Sequence, residues 1–180
     1  RHRAKTDIVK NSMWMFHRGI EVPASEIKEV GAGIWVAANA MQVFDKLGIV
    51  EQVLNEGMAL NSVSICDHRM EPMSGFDMED IIVKYKYPIT AIHRAKLQQV
   101  LLNNFDPGQV KCGKKFTGYS ETPGSVIAHF DDGSSVEGDF LLGADGIHSM
   151  VREQLFPGVK LRYSGQTCWR GVVDIALDRP

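Results

Sequence analysis

The amino-acid sequence predicts an α/β fold, in which helices are layered on a parallel β-sheet. Apolar residues recur at helical spacing from Val36 to Leu47, and Gly48 supplies a stop signal. The same spacing predicts a second helix over 95–104. The third observation is the unbroken apolar run 140–142 within 139–144, which is typical of a strand buried on both faces of a parallel sheet.

Shorter elements fill the rest of the chain. A short helix is predicted from Val50 to Asn55, closed by Gly57, and a polar Pro/Gly loop from Glu71 to Gly75. Alternating apolar residues predict strands at about 60–67, 81–85, 89–92, 109–112, 115–121, 126–130 and 135–137. Asp131-Asp132-Gly133 is a hairpin signal between the last two. Residues 1–19 show no clear period and receive no assignment.

Composition places the 180-residue chain among soluble globular proteins. Hydrophobic residues make up 44% and charged residues 23%, and the net charge is −2, so no nucleic-acid partner is predicted. No apolar stretch approaches the ~20 residues of a membrane span, and the charged start lacks the apolar core of a signal peptide. These observations favour a cytoplasmic protein.

Metal-binding chemistry has little support in the sequence. The three cysteines, Cys66, Cys112 and Cys168, are too far apart for a CxxC site, and the six histidines show no HxH or HExxH spacing. The acidic residues at 77, 79 and 80 favour a solvated loop over a cation site, because no further oxygen ligands follow at EF-hand spacing. We therefore predict no metal and no disulfide framework.

The segment Gly143 to Arg152 is the most informative, because a predicted strand ends there in two glycines and a short helix follows, ending near Leu155. Ligands of open α/β sheets bind at the carboxyl ends of strands. Gly143 and Gly146 would let the backbone approach a phosphate or ribose, Asp145 could accept hydrogen bonds from hydroxyls, and the helix N-terminus favours phosphate. In the alternative reading, Asp145 only caps the helix and Arg152 pairs with a surface acid. Spacing alone does not decide between them.

A second glycine-rich segment, Gly31-Ala32-Gly33, is rejected as a dinucleotide-binding turn. That motif needs a third Gly or Ala where Val36 stands, and an apolar strand before it. The preceding residues 26–30 are half charged, so they do not form a buried first strand.

The pattern Gly143-Ala144-Asp145-Gly146-x-x-Ser149-x-Val151-Arg152 resembles the second signature of the class A FAD-dependent monooxygenases, the para-hydroxybenzoate hydroxylase-like family. Two further segments agree in order, 29–48 and Ile92-His93-Arg94-x-x-Leu97-x-x-x-Leu101, so the similarity spans about 26–171. The segment 163–171 is most similar to the urate and salicylate hydroxylases and the zeaxanthin epoxidases within the family.

The resemblance implies an incomplete Rossmann-like FAD-binding domain with part of a β-sheet substrate domain. The FAD-binding part would comprise 1–57 and 92–160, and the substrate part 58–91 and 161–180. It also implies FAD as cofactor, NADH or NADPH as reductant, and O2 as co-substrate. A C4a-hydroperoxyflavin would then hydroxylate or epoxidise a small aromatic or polyene substrate.

Site residues follow from the resemblance position by position. Arg94 would lie against the FAD phosphates or the flavin, whereas without the resemblance it would be an ordinary exposed arginine. Asp145, with Gly143 and Gly146, would act on the pyrophosphate and ribose side and assist pyridine-nucleotide use. Arg152 would brace that turn, and Arg170 would face the flavin or substrate. No side chain is predicted to be a catalytic nucleophile or base, and Trp169 is predicted to pack in a core.

Three family features are missing from the sequence. There is no N-terminal GxGxxG turn, no acidic residue after the predicted strand start at 19–22, and no later Gly-Asp segment beyond the strand predicted at about 169–176. We therefore expect an excerpted, truncated or degenerate form. The alternative function is a non-catalytic module that binds a partner chain through unpaired sheet edges or the apolar cluster at Trp14 and Phe16. A nicotinamide-only dehydrogenase is disfavoured, because that fold also needs the missing turn.

Overall fold

The computed structural model describes residues 13–16, 19–27 and 32–169. The helices in these ranges are α1 Ala38–Leu47, α2 Val50–Glu56, α3 Glu79–Tyr85, α4 Arg94–Leu102 and α5 Met150–Leu155. The strands are β1 Met13–Phe16, β2 Gly19–Val22, β3 Gly33–Val36, β4 Met58–Ala59, β5 Ser62–Cys66, β6 Pro72–Asp77, β7 Thr90–His93, β8 Val110–Cys112, β9 Phe116–Thr122, β10 Ser125–Phe130, β11 Ser135–Gly138 and β12 Leu142–Ala144. This mixture of helices and strands confirms the predicted α/β class.

Internal contacts divide the chain into two compact units. Unit 1 comprises residues 1–28 and 105–167, and unit 2 comprises residues 29–104 and 168–180. The predicted assignment of FAD-binding and substrate domains remains a prediction. None of the helices in the part of the chain that the structure describes is long and apolar enough to cross a membrane.

Unit 2 is organised around an antiparallel three-stranded sheet in the order β3-β7-β4. Helix α1 ends where Gly48 adopts φ +74°, a left-handed conformation that glycine accepts without strain. The predictions of α1, α2 and α4 are confirmed, because each helix buries part of its apolar stripe in one core. That core consists of Val36, Met41, Phe44, Ile49, Val50, Val53, Tyr87, Ile92 and Val100.

Three predictions in unit 2 are wrong. Residues 81–85 belong to helix α3 and do not form a strand. The helix-start signals before them outweigh the strand preference of their β-branched side chains. The Asp77 carboxylate accepts the Glu79 N–H at 2.8 Å, and acidic residues occupy the first turn. The acidic group at 77–80 thus begins a helix and does not lie in a loop.

The predicted loop from Glu71 to Gly75 lies mostly in strand β6, which pairs with β5 as a hairpin. The chain reverses earlier than predicted, because the Asp67 carboxylate accepts the amides of Arg69 at 2.8 Å and Glu71 at 2.9 Å. Pro72 and Gly75 are tolerated because β6 is an exposed strand with a single neighbour among the described residues.

In the part of unit 1 that the structure describes there are two sheets. The first has the order β12-β1-β2-β8, in which β2 and β8 are parallel and the other pairs antiparallel. The second is the antiparallel meander β11-β10-β9, whose β10–β11 turn is the predicted Asp131-Asp132-Gly133 hairpin. Helix α5 packs on this meander through a small core of Phe116, Ala128, Phe130 and Val151. Strand β1 was missed from the sequence because its residues follow no clear period.

The prediction of a strand buried on both faces at 139–144 is wrong. Only Leu142–Ala144 is extended, and it pairs antiparallel with β1, which is its one neighbour among the described strands, so it lies at the edge of its sheet there. An edge strand has one neighbour, and Phe140 and Leu142 are 54% and 48% exposed. The apolar run therefore reflects a partly covered edge and not the centre of a parallel sheet.

Candidate functional site

The turn between β12 and α5 is closed by its own side chains. One oxygen of Asp145, Oδ2, accepts the Met150 N–H at 2.7 Å. The hydroxyl of Ser149, which is buried, accepts the Arg152 N–H at 3.0 Å and caps the helix. Two backbone N–H groups in the first turn of α5 therefore already donate to side chains of the turn. These two groups are not free to bind a phosphate, contrary to the expectation from the sequence.

The second oxygen of Asp145, Oδ1, is buried and has no hydrogen-bond partner in the described part of the chain. A buried acceptor without a donor costs about 1–3 kcal/mol, which a hydroxyl or water donor would offset. The capping reading of Asp145 from the sequence therefore holds for Oδ2, whereas Oδ1 has no donor among the described residues. Contact between Asp145 and a cofactor remains a prediction.

The two positions in the turn require glycine for different physical reasons. A Cβ atom on Gly143 would lie 2.8 Å from the Cβ of Val151, so this glycine allows close contact between strand and helix. Gly146 has φ +80°, and a Cβ there would meet nothing within 4 Å. Gly143 thus serves packing, whereas Gly146 shapes the turn and leaves open space beside it.

Arg152 spans the same turn. Its guanidinium Nη2 donates to the Ile147 carbonyl oxygen at 2.5 Å, and the side chain is half-buried. This hydrogen bond ties the helix to the middle of the turn, which agrees with the bracing role that the resemblance implies. Contact between Arg152 and a cofactor remains a prediction.

Arg94 belongs to unit 2 and is the first residue of α4. The backbone of this helix start is fixed: Arg94 N–H donates to the Ala32 carbonyl, and His93 Nδ1 accepts the Ala95 N–H, both at 3.3 Å. The guanidinium itself is exposed and has no hydrogen-bond or ion-pair partner among the described residues. The side chain is therefore free to meet a ligand, although that role stays a prediction.

Sequence reasoning missed the two capping residues, His93 and Ser149. Serine directly before a short helix is a known N-cap signal and could have been identified. The histidine cap gives a weaker signal, because histidine is not among the favoured N-cap residues.

Two predictions concern the C-terminal part of the chain. Arg170, the predicted flavin or substrate contact, lies outside the described residues. The prediction that Trp169 packs in a core is wrong, since its side chain is 93% exposed. Residues 161–169 form no helix or strand, so no regular element holds the indole ring against a core. Within the described residues, no group of three or more His, Cys, Asp or Glu side chains is arranged to hold a metal ion.

Residues 20–180 match the family described as FAD binding domain. The chain is 35% identical over 153 residues to the aurachin C monooxygenase/isomerase of Stigmatella aurantiaca. It is 34% identical over 152 residues to the FAD-dependent urate hydroxylase of Klebsiella pneumoniae. These alignments cover 85% and 83% of this chain. The chain spans about 40% of the length of either relative.

Solved structures agree with the sequence comparison. Klebsiella pneumoniae HpxO, complexed with FAD and uric acid, superposes with a TM-score of 0.65 and 29% identity, covering 74% of this chain and 34% of that one. The chain belongs to the FAD binding domain family, and its relatives are flavin-dependent monooxygenases. The resemblance identified from the Gly143 to Arg152 segment is confirmed.

FAD is the cofactor of this family, and the turn at Asp145 fits such a ligand. It provides a carboxylate oxygen that lacks a donor and a glycine with open space beside it. Hydroxyl groups, of which FAD carries several, are donors of the kind that this oxygen lacks.

Proposed function

We propose that this chain forms the FAD-holding part of a monooxygenase that consumes NADH or NADPH and O2. The substrate would be a small aromatic or polyene molecule that is hydroxylated or epoxidised. The observation that carries the proposal is the match of residues 20–180 to the FAD binding domain, with relatives named as monooxygenases and hydroxylases. A cytoplasmic location and the division into FAD-binding and substrate domains are part of the same proposal.

Each residue has a defined part in the proposal. Asp145 accepts a hydroxyl hydrogen bond from FAD through Oδ1, Gly146 leaves room for the ligand, and Arg152 holds the turn. Arg94 offers its guanidinium to the phosphates or the flavin, and Arg170 faces the flavin or substrate. Bound FAD supplies the activation of O2. The protein side chains bind and orient, and none is assigned as a nucleophile or general base.

The test is an FAD titration of the chain and its Asp145→Ser variant, followed by flavin fluorescence quenching and thermal midpoint. Serine removes both carboxylate oxygens, and the thermal midpoint without FAD measures how much the loss of the Met150 N–H bond contributes to stability. Losing a hydrogen bond to a charged acceptor costs about 1.5–3 kcal/mol, so FAD should bind roughly 10 to 100 times more weakly. Asp139→Ser, at a nearby exposed carboxylate, should leave the affinity unchanged. Folded wild-type protein that binds no FAD would refute the proposal.

Arg94→Ala separates cofactor binding from stability. The guanidinium has no partner among the described residues, so its removal should change the free energy of unfolding by less than about 0.5 kcal/mol. We expect weaker FAD binding and an unchanged thermal midpoint in the absence of FAD. Arg69→Ala, at the exposed tip of the β5–β6 hairpin, is the matched control. Equal FAD affinity of all three proteins would remove Arg94 from the site.

A second candidate function is a partner-binding module without catalysis. It is favoured by exposed apolar side chains on the β5–β6 hairpin, where Ile65, Met73 and Phe76 are 59%, 72% and 49% exposed. Sedimentation of the chain over a range of concentrations tests this candidate. Absence of FAD binding together with an assembly that Ile65→Thr disrupts would favour it over the flavoenzyme.

A further inference from the structure

The side-chain amide of Gln154 pairs with the outer edge of β9. Its Nε2 donates to the Tyr119 carbonyl oxygen at 2.7 Å, and its Oε1 accepts the Tyr119 N–H at 3.0 Å. Among the described strands, β9 is the edge of the meander, and Tyr119 stands opposite Ala128 on β10. In an antiparallel ladder, alternate residues direct both backbone groups away from their neighbour. The Gln154 side chain thus makes, to the backbone of Tyr119, the two hydrogen bonds that a neighbouring strand would make.

Helix α5 links this pairing to the Asp145 turn. The helix has six residues, so its first turn and its last turn overlap and rotate as one body. Its start carries the Met150 amide that donates to Asp145 and the Arg152 amide that donates to Ser149. Any rotation of α5 about its axis therefore moves the donors that fix the Asp145 carboxylate.

Core packing and the hydrogen bonds of the turn limit that rotation, and hydrogen bonds to the meander add a directional constraint. Val151 packs into the core with Phe116 and against Gly143, but apolar packing is non-directional. A hydrogen bond weakens steeply when its angle departs from linear, and the Gln154 amide makes two of them to a single residue. Among the described residues, Gln154 makes the side-chain hydrogen bonds that join α5 to the meander.

We propose that Gln154 is a positioning residue, which sets the rotation of α5 and thereby the orientation of the Asp145 carboxylate. The consequence for cofactor affinity rests on the proposed function, whereas the consequence for the turn does not. The alternative is a local role, in which Gln154 only satisfies the free edge of β9.

Amide hydrogen exchange tests the inference without any ligand. Gln154→Leu removes both hydrogen bonds while keeping a side chain of similar size. We expect the Met150 and Arg152 amides to exchange at least about tenfold faster, while the amides of β10 keep their wild-type rates. A purely structural role would raise exchange over the whole meander equally, and a local role would leave Met150 and Arg152 unchanged. Either of these results would overturn the inference.

A charge variant provides a second test that does not depend on loss of packing. In Gln154→Glu, the ionised carboxylate places an acceptor against the Tyr119 carbonyl oxygen, whereas the protonated acid restores a donor there. Relative to wild type, FAD affinity should fall about tenfold at pH 8, equivalent to about 1.4 kcal/mol, and should recover as the pH is lowered through the ordinary glutamate pKa of about 4.3. Gln154→Leu should show the same loss without recovery.

Glu153→Gln is the matched control, at an exposed neighbouring position on the same helix, and should alter neither exchange nor affinity. A pH-independent loss in Gln154→Glu would contradict the hydrogen-bond assignment. If wild-type protein binds no FAD, the proposed function fails, and the exchange rates of Met150 and Arg152 still decide the role of Gln154.

Discussion

Each of the two units is stabilised internally by a different balance of apolar packing and hydrogen bonding. Unit 2 has a continuous cluster of nine buried side chains to which α1, α2, α4 and β7 contribute. Among the described residues, the corresponding cluster in unit 1 has four, and side-chain hydrogen bonds also join its elements. Lys114 bonds to Asp132 and Ser134, and Gln154 bonds to the Tyr119 backbone.

The difference has a functional meaning. Apolar burial stabilises a unit in proportion to area but tolerates small rotations, whereas hydrogen bonds fix orientation. The Asp145 turn, whose carboxylate must point in one direction, lies in unit 1, where the apolar cluster among the described residues is the smaller and side-chain hydrogen bonds join α5 to the meander. Unit 2 instead presents Arg94 from a helix start fixed by the backbone, with a side chain free to adapt.

Truncation of the unit 2 core should have the largest effect. Met41 is 0% exposed, and Met41→Ala should lower the free energy of unfolding by about 2–5 kcal/mol, because it leaves a cavity. Urea denaturation measures the change. Met58→Ala, at a side chain that is 64% exposed, should cost less than about 0.5 kcal/mol. Similar losses for the two variants would show that the cluster does not dominate unit 2.

Overpacking in unit 1 should have an intermediate effect. In Gly143→Ala the new Cβ would lie 2.8 Å from the Cβ of Val151, so strand and helix must separate at a cost of about 1–3 kcal/mol. Gly33→Ala is the control in unit 2, where the nearest atom is 3.9 Å away. Thermal unfolding compares the two. If Gly143→Ala is as stable as wild type, the contact with α5 is not what requires glycine.

The ion pair between Lys114 and Asp132 in unit 1 should make the stability of the protein depend on pH in the acid range. The Lys114 ammonium lowers the pKa of the Asp132 carboxyl well below its usual value, helped by the Ser134 hydroxyl and N–H. A lowered folded pKa means that the stabilisation is present above the unfolded value of about 3.9 and is lost as the pH falls through the folded value.

The variant Asp132→Ala should therefore have a lower thermal midpoint than wild type at pH 7, and the difference should shrink as the pH falls below about 4. Asp131→Ala, at the neighbouring exposed carboxylate, serves as control. A constant difference between wild type and Asp132→Ala over this range would exclude the ion pair as its cause.

Local signals in the sequence were sufficient to predict much of the fold. Helix α1 carries its own periodicity and a glycine that accepts φ +74°, and the 131–133 turn carries its own hairpin signal. The family could also be identified from the sequence, because the Gly143 to Arg152 pattern is contiguous along the chain. These features depend on residues within about one helical turn or hairpin of one another, so the sequence alone determines them.

Other features were decided by contacts that sequence spacing does not contain. Residues 81–83 of α3 are β-branched, yet Asp77 and the first-turn acids begin a helix there. The apolar run before Gly143 was expected at the centre of a sheet but lies at an edge, since burial depends on which strands come alongside. Likewise, only the folded turn separates the two oxygens of Asp145, capping one and leaving the other without a donor. The sequence determines which groups are present, and the tertiary structure determines which of them are satisfied, because that depends on neighbours distant along the chain.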